Sequence, residues 1–212
     1  MVSPRHLPSV EEIEAWPTFS QEHPLALLVS GCLLGRPCGV DGSSYGAPYP
    51  HTERLVRLPN VHAVGFCPED FAFGTPRETP DIHGGDGFDV LDGNARVLSE
   101  RGDDWTDGML AAAEAMLAVA QEHGVRLALL MDISAACGSQ VISAGARSEG
   151  TYQRGQGVCA ALLIRHGVKV VSQRDHRTLD VLVGKLDPTH APTAGLRDHH
   201  ETAWYIETLG PP

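Results

Sequence analysis

Four runs of apolar residues predict β-strands at residues 25–30, 61–66, 126–131 and 168–172. Each run is short and mostly apolar, without regular alternation of apolar and polar positions. That pattern is typical of strands that are covered on both faces of a sheet. The sequence therefore predicts a buried central sheet.

Two further segments repeat apolar residues at helical spacing. Residues 105–123 form the longer one, with a period of 3.6 residues at these positions: Met109, Ala112, Ala113, Met116, Leu117 and Ala120. Asp103 or Asp104 can cap its start, and Gly124 can end it. Residues 157–166 form the second predicted helix. Strands that alternate with helices predict a single α/β domain with a mainly parallel, open, Rossmann-like sheet flanked by helices.

Both ends of the chain differ from this organised centre, which we place at residues 24–174. Residues 1–23 are predicted to be an N-terminal extension with a helical turn or two on the surface. Residues 175–212 are predicted to be a C-terminal extension, with short packed elements near 181–186 and 204–209. We expect four histidines of this extension to be scattered over the surface: His176, His190, His199 and His200.

Composition and charge narrow the class of protein. Of the 212 residues, 42% are hydrophobic and 20% charged, which excludes wholesale disorder. The formal net charge of −11 argues against a polynucleotide or an anionic membrane as partner, while a small nucleobase or nucleoside remains acceptable.

Residues 1–20 lack the apolar segment of a signal peptide. Five cysteines are too few, and odd in number, for a secreted disulfide scaffold. We therefore expect a cytoplasmic protein with reduced thiols.

A cysteine follows each of three predicted strands. Cys32 comes two residues after the first strand, Cys67 directly follows the second, and Cys137 lies in the segment after the third. In a parallel sheet these chain exits lie at one edge, the carboxyl edge, where ligand sites of open α/β folds are built. The predicted topology therefore brings three thiols together that are far apart in sequence.

Three converging thiols have few uses. A structural zinc site would need a fourth protein ligand and is usually made of close cysteine pairs, which this chain lacks. An iron–sulfur cluster accepts thiolates from dispersed loops, and with three of them one iron stays open as a Lewis acid. The alternative is that all three are small buried residues at strand ends.

Several motifs around these cysteines resemble the thiouracil desulfidase family. VSGCLLGRPCGVDG at residues 29–42 resembles the family's opening motif, and FCPE at 66–69 with the segment at 74–80 resembles its second. SAACG at 134–138 is similar to the third, and residues 150–163 resemble the stretch that closes the domain. The resemblance covers about residues 25–173.

This resemblance implies a non-redox enzyme that removes sulfur from a small thiolated base or nucleoside. Such proteins hold a [4Fe-4S] cluster by three cysteines, and its open iron takes the substrate sulfur. Water then replaces the sulfur on the ring, and sulfide leaves. Carried over by position, Cys32, Cys67 and Cys137 would be the cluster ligands, which agrees with the strand-end argument.

Other residues near the cysteines are candidates for the chemistry. Glu69 is a candidate general base for water, the alternative being a helix N-terminal carboxylate that interacts with the backbone dipole. Ser134 can donate a hydrogen bond to substrate or to a cluster sulfur, or bond its own backbone in a turn. Arg77 can hold an oxygen of the substrate or a neighbouring carboxylate. Cys38 is either a substitute ligand, a neighbouring thiol or a packing residue, and Cys159 is predicted to lie in the core.

The match to the family is imperfect near the presumed pocket. Gly39 and Val40 stand where the family usually has Arg-Tyr, before Asp41, which we interpret as a turn residue. Ala135 and Ala136 replace a proline and a serine of the third motif, and residues 70–73 replace a Gly-Gly-Leu segment. We therefore expect that the cluster is retained while the substrate differs from thiouracil, with loss of activity as the other option.

Two other functions compete with this one. The first is a non-catalytic iron–sulfur or metal-binding protein, a sensor or sulfur carrier, in which the altered motifs reflect lost chemistry. The second is a hydrolase with a cysteine nucleophile and His62 or His83 as its base. The glycines of residues 155–160 superficially fit a dinucleotide fingerprint, but no predicted strand directly precedes them. We expect these glycines to allow a turn that approaches the site closely.

Overall fold

The computed structural model describes residues 4–44 and 49–211; residues 1–3 and 212 of the two predicted extensions lie outside it. Within the described residues the strands are β1 (Leu25–Ser30), β2 (Val61–Phe66), β3 (Asp81–His83), β4 (Arg96–Leu98), β5 (Leu127–Leu130), β6 (Val141–Ser143), β7 (Tyr152–Arg154) and β8 (Lys169–Ser172). The helices are α1 (Val10–Glu14), α2 (Pro50–Val56), α3 (Pro68–Phe73), α4 (Gly87–Leu91), α5 (Thr106–Glu122), α6 (Val158–Arg165), α7 (His176–Leu186) and α8 (Ala203–Leu209). Short 3₁₀ turns lie at Gly31–Leu34, Arg147–Glu149 and His199–Glu201.

The central sheet has four strands in the order β2-β1-β5-β8, and all neighbouring pairs are parallel. These are the four strands that the apolar runs predict, and the predicted α/β fold class is confirmed. Two short antiparallel pairs, β3 with β4 and β6 with β7, lie outside this sheet. No helix among the described residues combines the length and apolar character that a membrane crossing requires.

Apolar side chains cover both faces of the sheet. On one face, Leu28 and Ala128 pack with residues of α5 and α6, including Met109, Met116 and Leu163. On the other face the strands pack against α1, α2 and α7 through these fully buried residues: Leu27, Leu129, Ile13, Leu55 and Leu182. Burial of one such side chain is worth roughly 1.5–3 kcal/mol, so both layers hold the strands together.

Helix α5 shows how the sequence pattern sets an element. Its six predicted core positions are all buried, because a period of 3.6 residues places them on one stripe of the helix. At its start the side chain of Asp104 accepts a hydrogen bond from the Thr106 N–H at 3.0 Å. At its end Gly124 has a φ of +62°, a conformation in which glycine avoids the steric penalty of a side chain.

Both predicted extensions contact the central sheet. The N–H of Val170 in β8 donates to the carbonyl of His6 at 3.0 Å, so the N-terminal segment covers the outer edge of that strand. Helix α1 buries Ile13 completely, so it is packed against the core and is more than a surface turn. The packed elements expected near 181–186 and 204–209 are the helices α7 and α8.

The strand order defines where a ligand can bind. From β1 the chain crosses to β2 on one side, and it later returns to β5 on the other side of β1. At such a switch point the loops after the two central strands diverge and leave a crevice at their carboxyl ends. The loops that carry the candidate cysteines all begin at this edge.

Candidate functional site

A cavity of about 300 Å³ lies at the carboxyl edge of the sheet. Cys32, Cys67 and Cys137 all line it, as do Glu69 and Ser134. Cys137 belongs to the core on one face of the sheet, while Cys32 and Cys67 pack with the core on the other. The structure therefore brings the predicted residues together where the two cores meet.

Cys32 lies in the 3₁₀ turn that directly follows β1. A Cβ built on the preceding Gly31 would lie 3.4 Å from the Sγ of Cys38 and 3.4 Å from the Cβ of Cys67, which are ordinary packing distances. It would also lie 3.2 Å from the Cδ of Arg36, a flexible side chain that can move. The loop after β1 is therefore packed closely against the loop after β2 at this point.

Cys67 is the N-cap residue of α3. Its Sγ accepts a hydrogen bond from the Asp70 N–H at 3.4 Å, and its S–H donates to the carbonyl of Cys38 at 3.7 Å. Pro68 occupies the first helical position, where its fixed φ suits the helix. This arrangement places Glu69 in the first turn, next to the cavity.

Cys137 lies in the loop of residues 131–141, which we call the Cys137 loop. Ser134 organises it: its Oγ accepts hydrogen bonds from the N–H groups of Ala136 at 3.2 Å and Cys137 at 3.0 Å. The residue before it, Ile133, has a φ of +59°. A β-branched residue in this region carries backbone strain of about 1–3 kcal/mol, which the surrounding contacts must offset. Arg147 supplies one such contact by donating to the carbonyl of Ile133.

Burial sets the protonation of the three thiols. It raises the pKa of Cys32 to about 12 and that of Cys67 to about 12, with smaller contributions from neighbouring thiols and Glu69. The pKa of Cys137 is raised well above its usual value for the same reason. Without a bound cation these thiols are protonated at neutral pH and are poor nucleophiles. A metal group that binds them must displace their protons.

The chemistry of the donor set fits an iron–sulfur cluster. Four thiols line the cavity, because the buried Cys38 is there as well. Iron–sulfur clusters accept thiolates from dispersed loops, and these cysteines reach the cavity from different loops. Among residues 4–44 and 49–211, no three histidine, cysteine or acidic side chains are arranged to hold one metal ion.

Glu69 is held between two donors at the cavity wall. Arg77 Nη2 donates to Glu69 Oε2 at 2.7 Å, and the hydroxyl of Ser134 donates to Glu69 Oε1 at 2.8 Å. The side chain of Arg77 is 3% exposed and that of Glu69 is 14% exposed. A charge-assisted pair with so little solvent around it orients the carboxylate firmly. Arg77 also donates to the carbonyl of Cys38 at 3.1 Å, which ties the loops after β1 and β2 together.

Gly157 provides the close approach that the glycines of residues 155–160 predict. A Cβ at this position would lie 2.5 Å from the carbonyl carbon of Ala136 and 2.7 Å from the carbonyl oxygen of Ser134. Backbone atoms cannot yield cheaply at such distances. The N–H of Gly157 also donates to the carbonyl of Gly138 at 2.8 Å. The start of α6 is therefore packed directly beneath the Cys137 loop.

We expect Gly157→Ala to displace the Cys137 loop and to destabilise the protein by about 1–3 kcal/mol. Thermal unfolding measures the effect. Gly184→Ala in α7 is the control, because its Cβ would meet only the His190 ring at 3.7 Å. Alanine there should be neutral or stabilising by about 0.5–1 kcal/mol. Equal unfolding temperatures for Gly157→Ala and wild type would contradict the close approach.

Several predicted candidates lie away from the cavity. His62 is exposed and its ring lies beside that of His123, and neither His62 nor His83 lines the cavity. Asp41 is exposed and accepts a hydrogen bond from the Ser43 N–H at 2.9 Å, which confirms that it is a turn residue. Cys159 is fully buried in α6, as predicted. The described residues therefore provide no histidine base for a cysteine nucleophile at this site.

The prediction of scattered surface histidines in the C-terminal segment is wrong for three of the four. His199 is 2% exposed and His200 is 1% exposed. The Nε2 of His190 lies 2.8 Å from Asp180 Oδ1, and both side chains are nearly buried. The cause is that α7, α8 and the turn between them pack onto the domain. The apolar periodicity of this C-terminal segment is weak and does not predict that packing.

Three charged residues of the cavity were not identified from the sequence: Asp132, Arg147 and Arg174. Asp132 and Arg174 each lie two residues after a strand, β5 and β8, at the edge that the cysteines mark. Extending the strand-end argument from cysteines to all polar residues would have found both. Arg147 reaches the cavity from the turn after β6, and no signal in the sequence points to it.

Comparisons with known proteins identify the family of this chain. The model of the 2-thiouracil desulfurase family matches residues 27–175. The uncharacterised protein YbbK of Bacillus subtilis (strain 168) is 38% identical over 151 residues, which is 70% of this chain and 96% of that protein. The solved structure of a [4Fe-4S]-dependent thiouracil desulfidase, TudS, is 35% identical and superposes with a TM-score of 0.59. The aligned region covers 70% of this chain and 90% of the TudS chain.

Proposed function

Because this chain belongs to the 2-thiouracil desulfurase family, we propose that it removes sulfur from a small thiolated pyrimidine base or nucleoside with the help of a [4Fe-4S] cluster. The observation that carries the proposal is that three strand-end cysteines, Glu69 and Ser134 line the same cavity. We assign this chemistry to residues 24–174, with residues 1–23 and 175–212 as supporting extensions.

Cys32, Cys67 and Cys137 are the proposed ligands. They come from the loops after β1, β2 and β5, so one rigid sheet edge fixes all three thiols. When bound, the cluster supplies an open iron that acts as a Lewis acid toward the substrate sulfur. Cys38 lines the same cavity, and its backbone carbonyl accepts hydrogen bonds from Arg77 and from the Cys67 thiol.

The proposed reaction exchanges sulfur for oxygen without a change of oxidation state. A thiocarbonyl carbon and water give a carbonyl and hydrogen sulfide, so the carbon–sulfur bond breaks and a carbon–oxygen bond forms. The attacking water must lose its protons, and the departing sulfur must gain them. A single general base that takes a proton and later returns it satisfies both requirements.

Glu69 is the proposed base. Its two oxygens each accept one hydrogen bond, from Arg77 and from Ser134, and each keeps a second lone pair for a proton of water. Arg77 is almost completely buried against it, and its charged hydrogen bond holds the carboxylate in place at the cavity. Burial at the cavity wall also keeps competing water away from the pair.

Ser134 is proposed to set the direction of this carboxylate. Two backbone N–H groups occupy the acceptor side of its Oγ, so its own proton points to Glu69 Oε1 at 2.8 Å. The same side chain therefore orders the Cys137 loop and fixes the base. A shift of the loop would move both the thiol and the carboxylate.

An assay of sulfide release tests the proposal. Anaerobically reconstituted protein should be brown, bind iron and sulfide, and convert 2-thiouracil or a thiolated nucleoside into equal amounts of oxygenated base and sulfide. A colourless protein after reconstitution with iron and sulfide would refute the cluster. Brown protein that releases no sulfide from any thiolated pyrimidine or nucleoside would instead support the non-catalytic sensor or carrier.

A further inference from the structure

The Cys137 loop is closed at its base by one buried carboxylate. Asp132 Oδ1 accepts hydrogen bonds from the N–H groups of Ser139 at 3.0 Å, Gln140 at 3.2 Å and Val141 at 3.2 Å. The N–H of Asp132 itself donates to Gln173 Oε1 at 2.8 Å. Asp132 therefore joins the start of the loop to its end.

The other oxygen of this carboxylate is held by a histidine from the C-terminal segment. The Nδ1 of His199 lies 2.6 Å from Asp132 Oδ2, and the two side chains are 2% and 0% exposed. Because a carboxylate only accepts, Nδ1 carries the proton of this bond. The other ring nitrogen, Nε2, is buried and has no hydrogen-bond partner in the described part of the chain. The only side-chain hydrogen bond of His199 there is the one to Asp132.

We propose that His199 is a positioning residue of the active site, which acts through Asp132 to hold the Cys137 loop in its reactive arrangement. His199 lies outside residues 27–175, where the family model matches. The inference deepens the proposed function and rests on it for its effect on catalysis, because the loop carries Ser134 and a proposed cluster ligand.

Further contacts fix His199 in place. The backbone N–H of His199 donates to Asp175 Oδ1 at 3.0 Å, and the same oxygen accepts a hydrogen bond from Gln140 Nε2 at 2.7 Å. The His199 ring stacks on Trp204 at a centroid distance of 5.4 Å and meets Tyr205 edge-on at 5.6 Å. The C-terminal segment therefore reaches the Cys137 loop by two routes, through Asp132 and through Gln140.

Electrostatics support a role beyond packing. Burial opposes ionisation of Asp132, but the hydrogen bond and attraction from His199, with the N–H donors of the loop, hold the pKa of this carboxyl below its usual value. A buried charged carboxylate that loses one of its donors is costly, and the loss falls on the remaining bonds to Ser139, Gln140 and Val141. Removing the histidine donor should thus loosen the loop before it loosens the C-terminal helices.

Three variants separate positioning from packing. His199→Phe keeps a ring between Trp204 and Tyr205 but removes the donor. His199→Asn keeps an N–H close to the position of Nδ1. His200→Phe is the control, because His200 is equally buried in the same turn and makes no hydrogen bond to Asp132. Hydrogen exchange of the cluster-free protein and steady-state sulfide release of the reconstituted protein are measured for all three.

For His199→Phe we expect amide exchange in residues 132–141 to rise about tenfold or more. Exchange within β8 and α7 should stay unchanged. In the reconstituted enzyme kcat should fall about tenfold or more with KM and iron content nearly unchanged, since the loop is misplaced but its thiol is present. His199→Asn should recover most of both effects, and His200→Phe should show neither.

Two results would overturn the inference. One is faster exchange spread evenly over α7, α8 and the loop in His199→Phe, without recovery in His199→Asn, which indicates a packing role. The other is loop exchange and kcat equal to wild type. Hydrogen exchange is measured without cluster or substrate, so it decides the loop contact even if wild-type protein releases no sulfide. Wild-type protein that releases no sulfide would count against the proposed function and not against the contact between His199 and the loop.

Discussion

Replacing Cys32, Cys67 or Cys137 with alanine is expected to reduce the iron content and the visible absorbance of reconstituted protein to background. Each change leaves only two of the three proposed thiolates, too few to hold a cluster with one open iron. Sulfide release should be lost in all three variants. Iron and sulfide analysis with an absorbance spectrum of anaerobic protein measures the effect.

Two other cysteines of the same chain serve as matched controls. Cys159→Ala changes a fully buried thiol in α6 and should keep the cluster, with a modest loss of stability from lost packing. Cys38→Ala should also keep it. The interactions of Cys38 with Arg77 and Cys67 use its backbone carbonyl, which alanine preserves.

The pattern of loss among the five variants is decisive. A cluster that survives the loss of Cys32, Cys67 or Cys137 would show that this residue is not a ligand. If the cluster is also lost in Cys38→Ala, Cys38 would replace that residue as a ligand. Circular dichroism of each cluster-free variant separates failure to bind iron from failure to fold.

The sheet and the meeting of the cysteines could be predicted because both depend on local signals. Continuous apolar runs mark buried strands, and parallel strands place their carboxyl ends at one edge. Cys32 and Cys67 follow their strands closely, so an error of one or two residues in a strand boundary does not move them to another edge. The same reasoning placed Glu69 beside Cys67.

The C-terminal contacts of the site could not be predicted in this way. Asp132 and His199 are 67 positions apart, and the bond between them depends on how α7 and the following turn pack on the sheet. Local periodicity does not encode that packing. The orientation of Glu69 by Arg77 likewise depends on where the loop after α3 returns, which spacing alone leaves open.

Changing the base without changing the ligands gives the sharpest test of the chemistry. Glu69→Gln is expected to lower kcat for sulfide release about 10²- to 10⁴-fold, the range that general-base catalysis supplies. Glutamine has nearly the same shape but cannot take a proton from water at neutral pH. Absorbance and iron content should match wild type, because the three proposed thiol ligands are untouched.

Glu78→Gln is the matched control for Glu69→Gln. Glu78 also pairs with an arginine, since its Oε1 lies 3.0 Å from Arg101 Nε, but it does not line the cavity. Its loss should leave kcat unchanged. The comparison removes any general effect of neutralising a paired glutamate in an acidic protein.

The structural cost of Glu69→Gln has to be separated from the chemical one. Arg77 is almost completely buried, so loss of its charged partner should lower the free energy of unfolding by about 1–3 kcal/mol. Ser134→Ala leaves the carboxylate and its pair with Arg77 intact but removes the other donor to Glu69 and the acceptor of two N–H groups of the Cys137 loop. Its kcat therefore combines a less well oriented base with a displaced loop, and it is compared with wild type at equal iron content. A Glu69→Gln rate within about tenfold of wild type would assign proton transfer to another group, because a base in use cannot be neutralised so cheaply.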